Sequence, residues 1–217
     1  MQKSDKLEMY YNMARSLYQT GPSHDFFHIE RVYHLAQRIG REEGANLEIL
    51  GMAALFHDLA RDEETASGGE ICHATASAIR TREILEKNGE ESLMVDAVCR
   101  CIATHRFRDN NQPQSIEDKC LFDADKLDSL GAVGVARAYL WLGERGGTVF
   151  VEREVWERTD FNNNQPENDS MQREWHIKLR HIKDRLYTET ARKIAHKRAL
   201  TMEKFLKDLE EEVRGED

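Results

Sequence analysis

The chain has 217 residues, of which 40% are hydrophobic and 33% charged, with a formal net charge of −9. That length and apolar content suffice for a substantial core, while the acidic balance argues against a protein that binds a nucleic-acid backbone. No apolar stretch approaches the roughly 20 residues of a membrane span, and the N-terminal segment lacks the pattern of a secretory signal. We therefore expect a cytoplasmic protein without membrane or nucleic-acid partners.

Apolar residues recur mostly at intervals of three and four along the chain, which predicts an all-α protein. The predicted helices, in chain order, cover residues 5–19, about 24–40, about 46–60, about 70–87, about 91–106 and 116–145, the last as two helices or one bent at Gly131. The segment RDEETASGG at 61–69 is predicted to be a loop, and residues 159–170 are the best linker candidate. A single long charged helix is predicted from about 171 to 214.

A histidine and an aspartate, His57 and Asp58, directly follow the apolar run at 53–56. A buried charge is costly unless it is paired or bound to a metal ion. Adjacent helical residues point about 100° apart, so both side chains reach one ion only where the helix ends. His28 from the preceding helix and Asp125 from a later one would complete a nitrogen and oxygen ligand set. Such a set suits Mn²⁺, Fe²⁺, Co²⁺, Ni²⁺ or Zn²⁺, with Mg²⁺ as a further candidate.

The order His28, His57-Asp58, Asp125 resembles the H…HD…D signature of the HD-domain superfamily of metal-dependent phosphohydrolases. The segments SHDFFHIERVYHLA, AALFHDLA, ATHRFR and FDADKLDSLGAVGVARAYLWLG are similar to the small microbial members. The resemblance implies that these four residues are the metal ligands. It also implies an HD-domain-like helical bundle with a long C-terminal helix packed on the core. We expect one domain over residues 1–217, with a metal-binding core at about 20–145 and a C-terminal helical extension at about 168–217.

Three further residues bear on the metal site. Asp123, two residues before Asp125, is the alternative fourth ligand. His73 and His105 lie in the interval where two-metal members of the superfamily carry extra histidines, so they are candidates for holding a second ion. A single ion is the default expectation.

The chemistry that fits such an ion is the hydrolysis of a phosphate ester or anhydride. Charge on the phosphoryl oxygens requires cationic donors, and the candidate substrate-binding residues are Lys126, Arg106, Arg61, Asp128 and His24. Candidate catalytic residues are the metal ligand Asp58, His105 as an acid or phosphate-orienting group, and Asp62 as a base. The resemblance implies a small phosphorylated substrate, a nucleotide above all.

Two other functions compete with hydrolysis. The same ligand framework supports di-iron oxygenases, which need two more histidine ligands. A non-catalytic metal- or nucleotide-binding regulatory module would be expected to have lost a ligand, and all four are present. A homodimer is compatible with the long C-terminal helix.

Overall fold

The computed structural model of the protein describes residues 3–18, 26–106, 111–159 and 166–216. These residues contain eleven α-helices, two 3-10 helices and no strand, which confirms the predicted all-α class. The α-helices are α1 Lys3–Leu17, α2 Phe26–Glu43, α3 Leu47–Phe56, α4 Arg61–Ala66, α5 His73–Lys87, α6 Ser92–Thr104, α7 Ile116–Leu127, α8 Gly131–Arg145, α9 Arg153–Arg158, α10 Met171–Ile177 and α11 Glu189–Arg214. The 3-10 helices are Pro166–Asn168 and Leu179–Arg185.

The described part of the chain divides into two compact units. The first comprises the residues up to Asp125 together with Tyr187–Ala191, and the second comprises Lys126–Leu186 and the residues from Arg192 onward. A single domain over the whole chain, with the stripe of α11 packed on one core, stays a prediction. Within the described ranges, no helix combines the length and the hydropathy that a membrane crossing requires.

Helix α3 is the central element of the first unit, and every residue from Leu50 to Phe56 is buried. Its N-terminus is capped as predicted, because the side chain of Asn46 accepts hydrogen bonds from the backbone N–H groups of Glu48 and Ile49. Helix α1 approaches α3 closely at Gly51, where a Cβ atom would lie 2.8 Å from a methyl carbon of Leu7. The rigid setting of α3 fixes the position of the residues that follow its last turn.

The prediction of a single long helix from 171 to 214 is wrong, because that stretch contains α10, a 3-10 helix and α11. The carboxylate of Asp123 accepts hydrogen bonds from the backbone N–H groups of Tyr187 (2.9 Å) and Thr188 (2.7 Å) and from the Thr188 hydroxyl (2.7 Å). The same hydroxyl accepts from the N–H of Ala191 at 3.3 Å, so Thr188 caps a new helix at this point. A buried aspartate therefore starts α11 where the sequence period alone shows no break.

The segment 61–69 also differs from the prediction. It was predicted to be a loop over its whole length, but its first part forms the short helix α4. Asp62, on this helix, is exposed, whereas Glu64 is buried. The composition of the segment is that of a loop, but its third acidic residue is turned inward.

Candidate metal centre

The last turn of α3 delivers His57 and Asp58 into the interior of the first unit. His57 is completely buried, and its Nδ1 lies 2.8 Å from the carbonyl oxygen of Ala54. A carbonyl oxygen only accepts, so Nδ1 carries the proton and Nε2 presents a lone pair. That lone pair points toward the two carboxylates, at 3.9 Å from Asp58 Oδ2 and 3.9 Å from Asp125 Oδ1.

Two other helices bring the remaining predicted ligands to the same place. His28, near the start of α2, is buried, and its Nε2 lies 3.7 Å from Asp58 Oδ2 and 3.5 Å from Asp125 Oδ1. Asp125 comes from the last turns of α7. Ligand atoms of His28, His57 and Asp125 all lie within 4.8 Å of one another, as do those of His57, Asp58 and His105. The structure thus brings together all four residues that the sequence singles out.

The donor set fits a divalent cation. The Nε2 atom of His57 is buried and has no hydrogen-bond partner, which is costly for a polar atom unless something else occupies its lone pair. Burial lowers the pKa of His57 to about 4, so its imidazole is neutral at physiological pH, as a metal ligand must be. Burial raises the pKa of Asp58, but the neighbouring histidines His57, His105 and His73 outweigh that effect and hold the pKa well below its usual range. Two imidazole nitrogens and two carboxylates suit a divalent transition metal.

Two more histidines face the other oxygen of Asp58. His73 Nε2 lies 3.1 Å from Asp58 Oδ1, and His105 Nε2 lies 3.6 Å from it. The two Nε2 atoms are 3.2 Å apart. Nδ1 of His105 donates to the carbonyl of Ile102 at 2.6 Å, which again turns Nε2 inward. The candidates for a second ion therefore meet at one oxygen of Asp58, while His28 and His57 face its other oxygen.

Behind His73 lies a group of charged side chains from α4 and the end of α6. Glu64 Oε2 is 2.7 Å from Nδ1 of His73, and Glu64 Oε1 accepts a hydrogen bond from Arg106. Arg61 Nη1 lies 3.4 Å from Glu64 Oε2 and 3.0 Å from Nδ1 of His73. Burial raises the pKa of Glu64, but the hydrogen bonds from Arg106 and His73 lower it overall. The arginines predicted to bind substrate thus lie beside the cluster. They are joined by Glu64, which was not among the predicted site residues.

The remaining predicted site residues are Asp62, Lys126, Asp128 and His24. Asp62 is exposed on α4, so its role as a base stays a prediction. Lys126 and Asp128 belong to the second unit, where Asp128 is buried and accepts a hydrogen bond from Arg137 at 2.7 Å. His24 falls outside the described residues.

Asp123, the alternative to Asp125, is turned away from the histidines. Its carboxylate accepts from the backbone at 187–188, as described above. The geometry favours Asp125 as the fourth ligand.

Comparison with known proteins identifies the family of the chain. The model of the HD domain matches residues 25–130 of the chain, a range that contains all four predicted ligands. The YpgQ protein of Bacillus subtilis (strain 168) is 32% identical over 198 residues, which are 89% of this chain and 86% of that protein. The chain therefore belongs to the HD-domain family, which confirms the resemblance noted in the sequence.

Solved structures show the same fold over the whole chain. The structure of Bacillus subtilis YpgQ in complex with ADP is 29% identical, with a TM-score of 0.74 and coverage of 97% of this chain and 100% of that chain. An HD-superfamily hydrolase from Bacillus thuringiensis is also 29% identical, with a TM-score of 0.74 and coverage of 98% of each chain. The all-helical arrangement is thus that of known HD-domain proteins.

Proposed function

We propose that this protein is a metal-dependent hydrolase of phosphate esters or anhydrides. The observation that carries the proposal is the convergence of His28, His57, Asp58 and Asp125, with the buried Nε2 of His57 left unpartnered. The Bacillus thuringiensis relative, an HD-superfamily hydrolase of the same fold, supports the hydrolytic class.

The four converging residues would hold the ion, with Mn²⁺, Fe²⁺, Co²⁺, Ni²⁺ and Zn²⁺ as candidates and Mg²⁺ as a further one. A divalent ion bound there would make water more acidic and would neutralise charge on a phosphoryl group. The protein contributes orientation: the carbonyl of Ala54 fixes the ring of His57, and the end of α3 fixes Asp58 beside it. Because these supports belong to buried backbone, the positions of His57 and Asp58 are set before any ion binds.

Substrate binding is assigned to the cations beside the cluster. Arg61 and Arg106 are partly exposed, with side chains 33% and 21% accessible, and both contact Nδ1 of His73. Guanidinium groups match the geometry of phosphate oxygens and stabilise the charge that develops on them. We assign to His105, whose Nε2 faces inward, the role of holding a proton for the leaving oxygen.

A nucleotide is the substrate class that we propose. The relative YpgQ has been solved in complex with ADP, and this chain shares its fold over nearly its whole length. The fold alone does not select a base or a sugar.

The test is a panel of nucleoside mono-, di- and triphosphates and simple phosphoesters, assayed with Mn²⁺, Co²⁺, Ni²⁺ and Mg²⁺. We expect the wild type to release phosphate or pyrophosphate from at least one member of the panel. The rate of release should fall by roughly 100-fold or more in His57→Ala and Asp125→Ala. The matched control is His34→Ala, an exposed histidine on the same helix as His28, and it should retain wild-type activity. A folded, metal-loaded wild type that turns over no member of the panel, or turnover that survives in His57→Ala, would refute the proposal.

A second candidate function is favoured by one observation. An oxygenase on this framework needs two further histidine ligands, and His73 and His105 lie at 3.1 and 3.6 Å from Asp58 Oδ1. Iron-loaded protein that binds two ions per chain, absorbs visible light and consumes oxygen without releasing phosphate would establish this alternative. Two ions together with phosphate release would identify a two-metal hydrolase, in place of the single ion expected by default.

A further inference from the structure

Glu64 is the buried acidic residue of α4, and nothing in the ligand signature refers to it. Its side chain is 11% accessible, whereas its helix neighbour Asp62 is exposed. Leaving a carboxylate in such a place is costly unless donors surround it. Three of the donors around it, on His73, Arg61 and Arg106, are side chains next to the metal cluster.

The two carboxylate oxygens of Glu64 have different partners. Oε2 lies 2.7 Å from Nδ1 of His73 and 3.4 Å from Arg61 Nη1, while Oε1 accepts from Arg106. The same Nδ1 atom also lies 3.0 Å from Arg61 Nη1 and 2.8 Å from Arg106 Nη1, so all three charged side chains meet the ring at this edge. The Nε2 atom of His73 is thereby directed at Asp58 Oδ1, 3.1 Å away.

The two arginines come from separate helix ends. Arg61 begins α4, and Arg106 follows the end of α6. Both are held on the carboxylate that also orients His73, so one residue connects the two cations to the cluster. Long arginine side chains lose conformational entropy when they bind an anion, and holding them in advance reduces that loss.

We propose that Glu64 is a positioning residue of the active site, which orients His73 toward Asp58 and holds Arg61 and Arg106 as a pair that binds substrate phosphate. The inference rests on the proposed phosphohydrolase function for the identity of the ligand. It differs from that function in that Glu64 acts through other residues and does not touch the substrate.

Glu64→Gln tests the proposal, because an amide has one accepting oxygen and cannot serve both His73 and Arg106. The first readout is affinity for inorganic phosphate, titrated into the manganese-loaded protein and followed by ³¹P line broadening. The second is the ¹⁵N signature of the His73 ring in the metal-free protein, which reports the nitrogen that carries the proton. The matched control is Glu70→Gln, an exposed carboxylate a short distance along the chain.

We expect Glu64→Gln to weaken phosphate binding by about tenfold or more and to alter the His73 signature, while Glu70→Gln changes neither. Because Glu64 acts through Arg106, Glu64→Gln should have little further effect on phosphate affinity in an Arg106→Gln background. Wild-type phosphate affinity and an unchanged His73 signature in Glu64→Gln would overturn the inference. Independent effects that multiply in the double variant would do the same.

If Glu64→Gln does not fold, Glu64→Asp is the replacement variant, because it keeps the charge but shortens the side chain. Its phosphate affinity should lie between those of the wild type and the Arg106→Gln variant. A folded Glu64→Asp with wild-type phosphate affinity and His73 signature would then overturn the inference. The outcomes also separate the two proposals. If the wild type is active and Glu64→Gln changes neither readout, only this inference is refuted. If Glu64→Gln shows the expected changes in phosphate affinity and in the His73 signature but the wild type hydrolyses nothing, only the proposed reaction is refuted.

Discussion

Replacing Asp123 by alanine should destabilise the protein without removing its metal site. The change deletes the acceptor of three donors: the N–H groups of Tyr187 and Thr188 and the Thr188 hydroxyl, at 2.9, 2.7 and 2.7 Å. The hydroxyl can rotate to another partner, but the two N–H groups lose theirs, at about 1–3 kcal/mol each. With part of the cap of α11 also lost, we expect a total of about 3–5 kcal/mol.

For a chain of this length, that loss corresponds to a fall of about 10 °C in Tm. The assay is thermal unfolding in EDTA, combined with Mn²⁺ titration of the folded protein at low temperature. Asp123→Asn keeps one acceptor and should lose about 1–2 kcal/mol. Asp125→Ala should behave in the opposite way, with a small change in Tm and a large loss of Mn²⁺ affinity. If Asp123→Ala abolished Mn²⁺ binding while Tm stayed at the wild-type value, the assignment of the two aspartates would be wrong.

Two further predictions concern protonation and backbone conformation. Burial lowers the pKa of His57 in the folded protein to about 4, against 6.5 for an ordinary histidine. The metal-free protein should therefore lose up to about 3 kcal/mol of stability as the pH falls from 6.5 toward 4. Denaturant titrations should show a smaller loss in His57→Gln, and an equal loss would contradict the assignment. Gly131 has a φ of +78°, and a Cβ there would lie 3.0 Å from Cγ of Arg198, so Gly131→Ala should cost about 1–2 kcal/mol. Gly143→Ala, with open space around its Cβ, should instead stabilise the protein by about 0.5–1 kcal/mol in the same unfolding assay. Equal effects at the two glycines would contradict both the strain expected at Gly131 and the gain expected at Gly143.

The sequence was sufficient for the helical class and for the ligand cluster, for different reasons. Apolar spacing of three and four is a local property, so helices such as α3 appear in it directly. The cluster was predictable because a histidine and an aspartate at the end of the most apolar helix require a partner or an ion. His28 and Asp125 were proposed to complete the ligand set, and the resemblance to a known signature implies the same four residues.

What the sequence did not show depends on contacts between distant residues. The break before α11 depends on Asp123, which lies 64 positions before Tyr187 in the chain. Glu64 lies in a segment with the composition of a loop, and only its burial against His73 and Arg106 distinguishes it from Asp62. One local signal was available: Arg61 and Glu64 are three residues apart, so they would share a face if the segment were helical.

The central claim is that the imidazoles of His28 and His57 bind the same divalent ion together with Asp58 and Asp125. Pulsed EPR of Mn²⁺ bound to the protein tests this most directly, because it detects nitrogen atoms bonded to the ion. We expect couplings from imidazole nitrogen in the wild type that weaken in His28→Ala and in His57→Ala. The couplings should persist in the control His34→Ala, because His34 is exposed. Bound Mn²⁺ without nitrogen couplings, or couplings that are the same in His57→Ala as in the wild type, would contradict it.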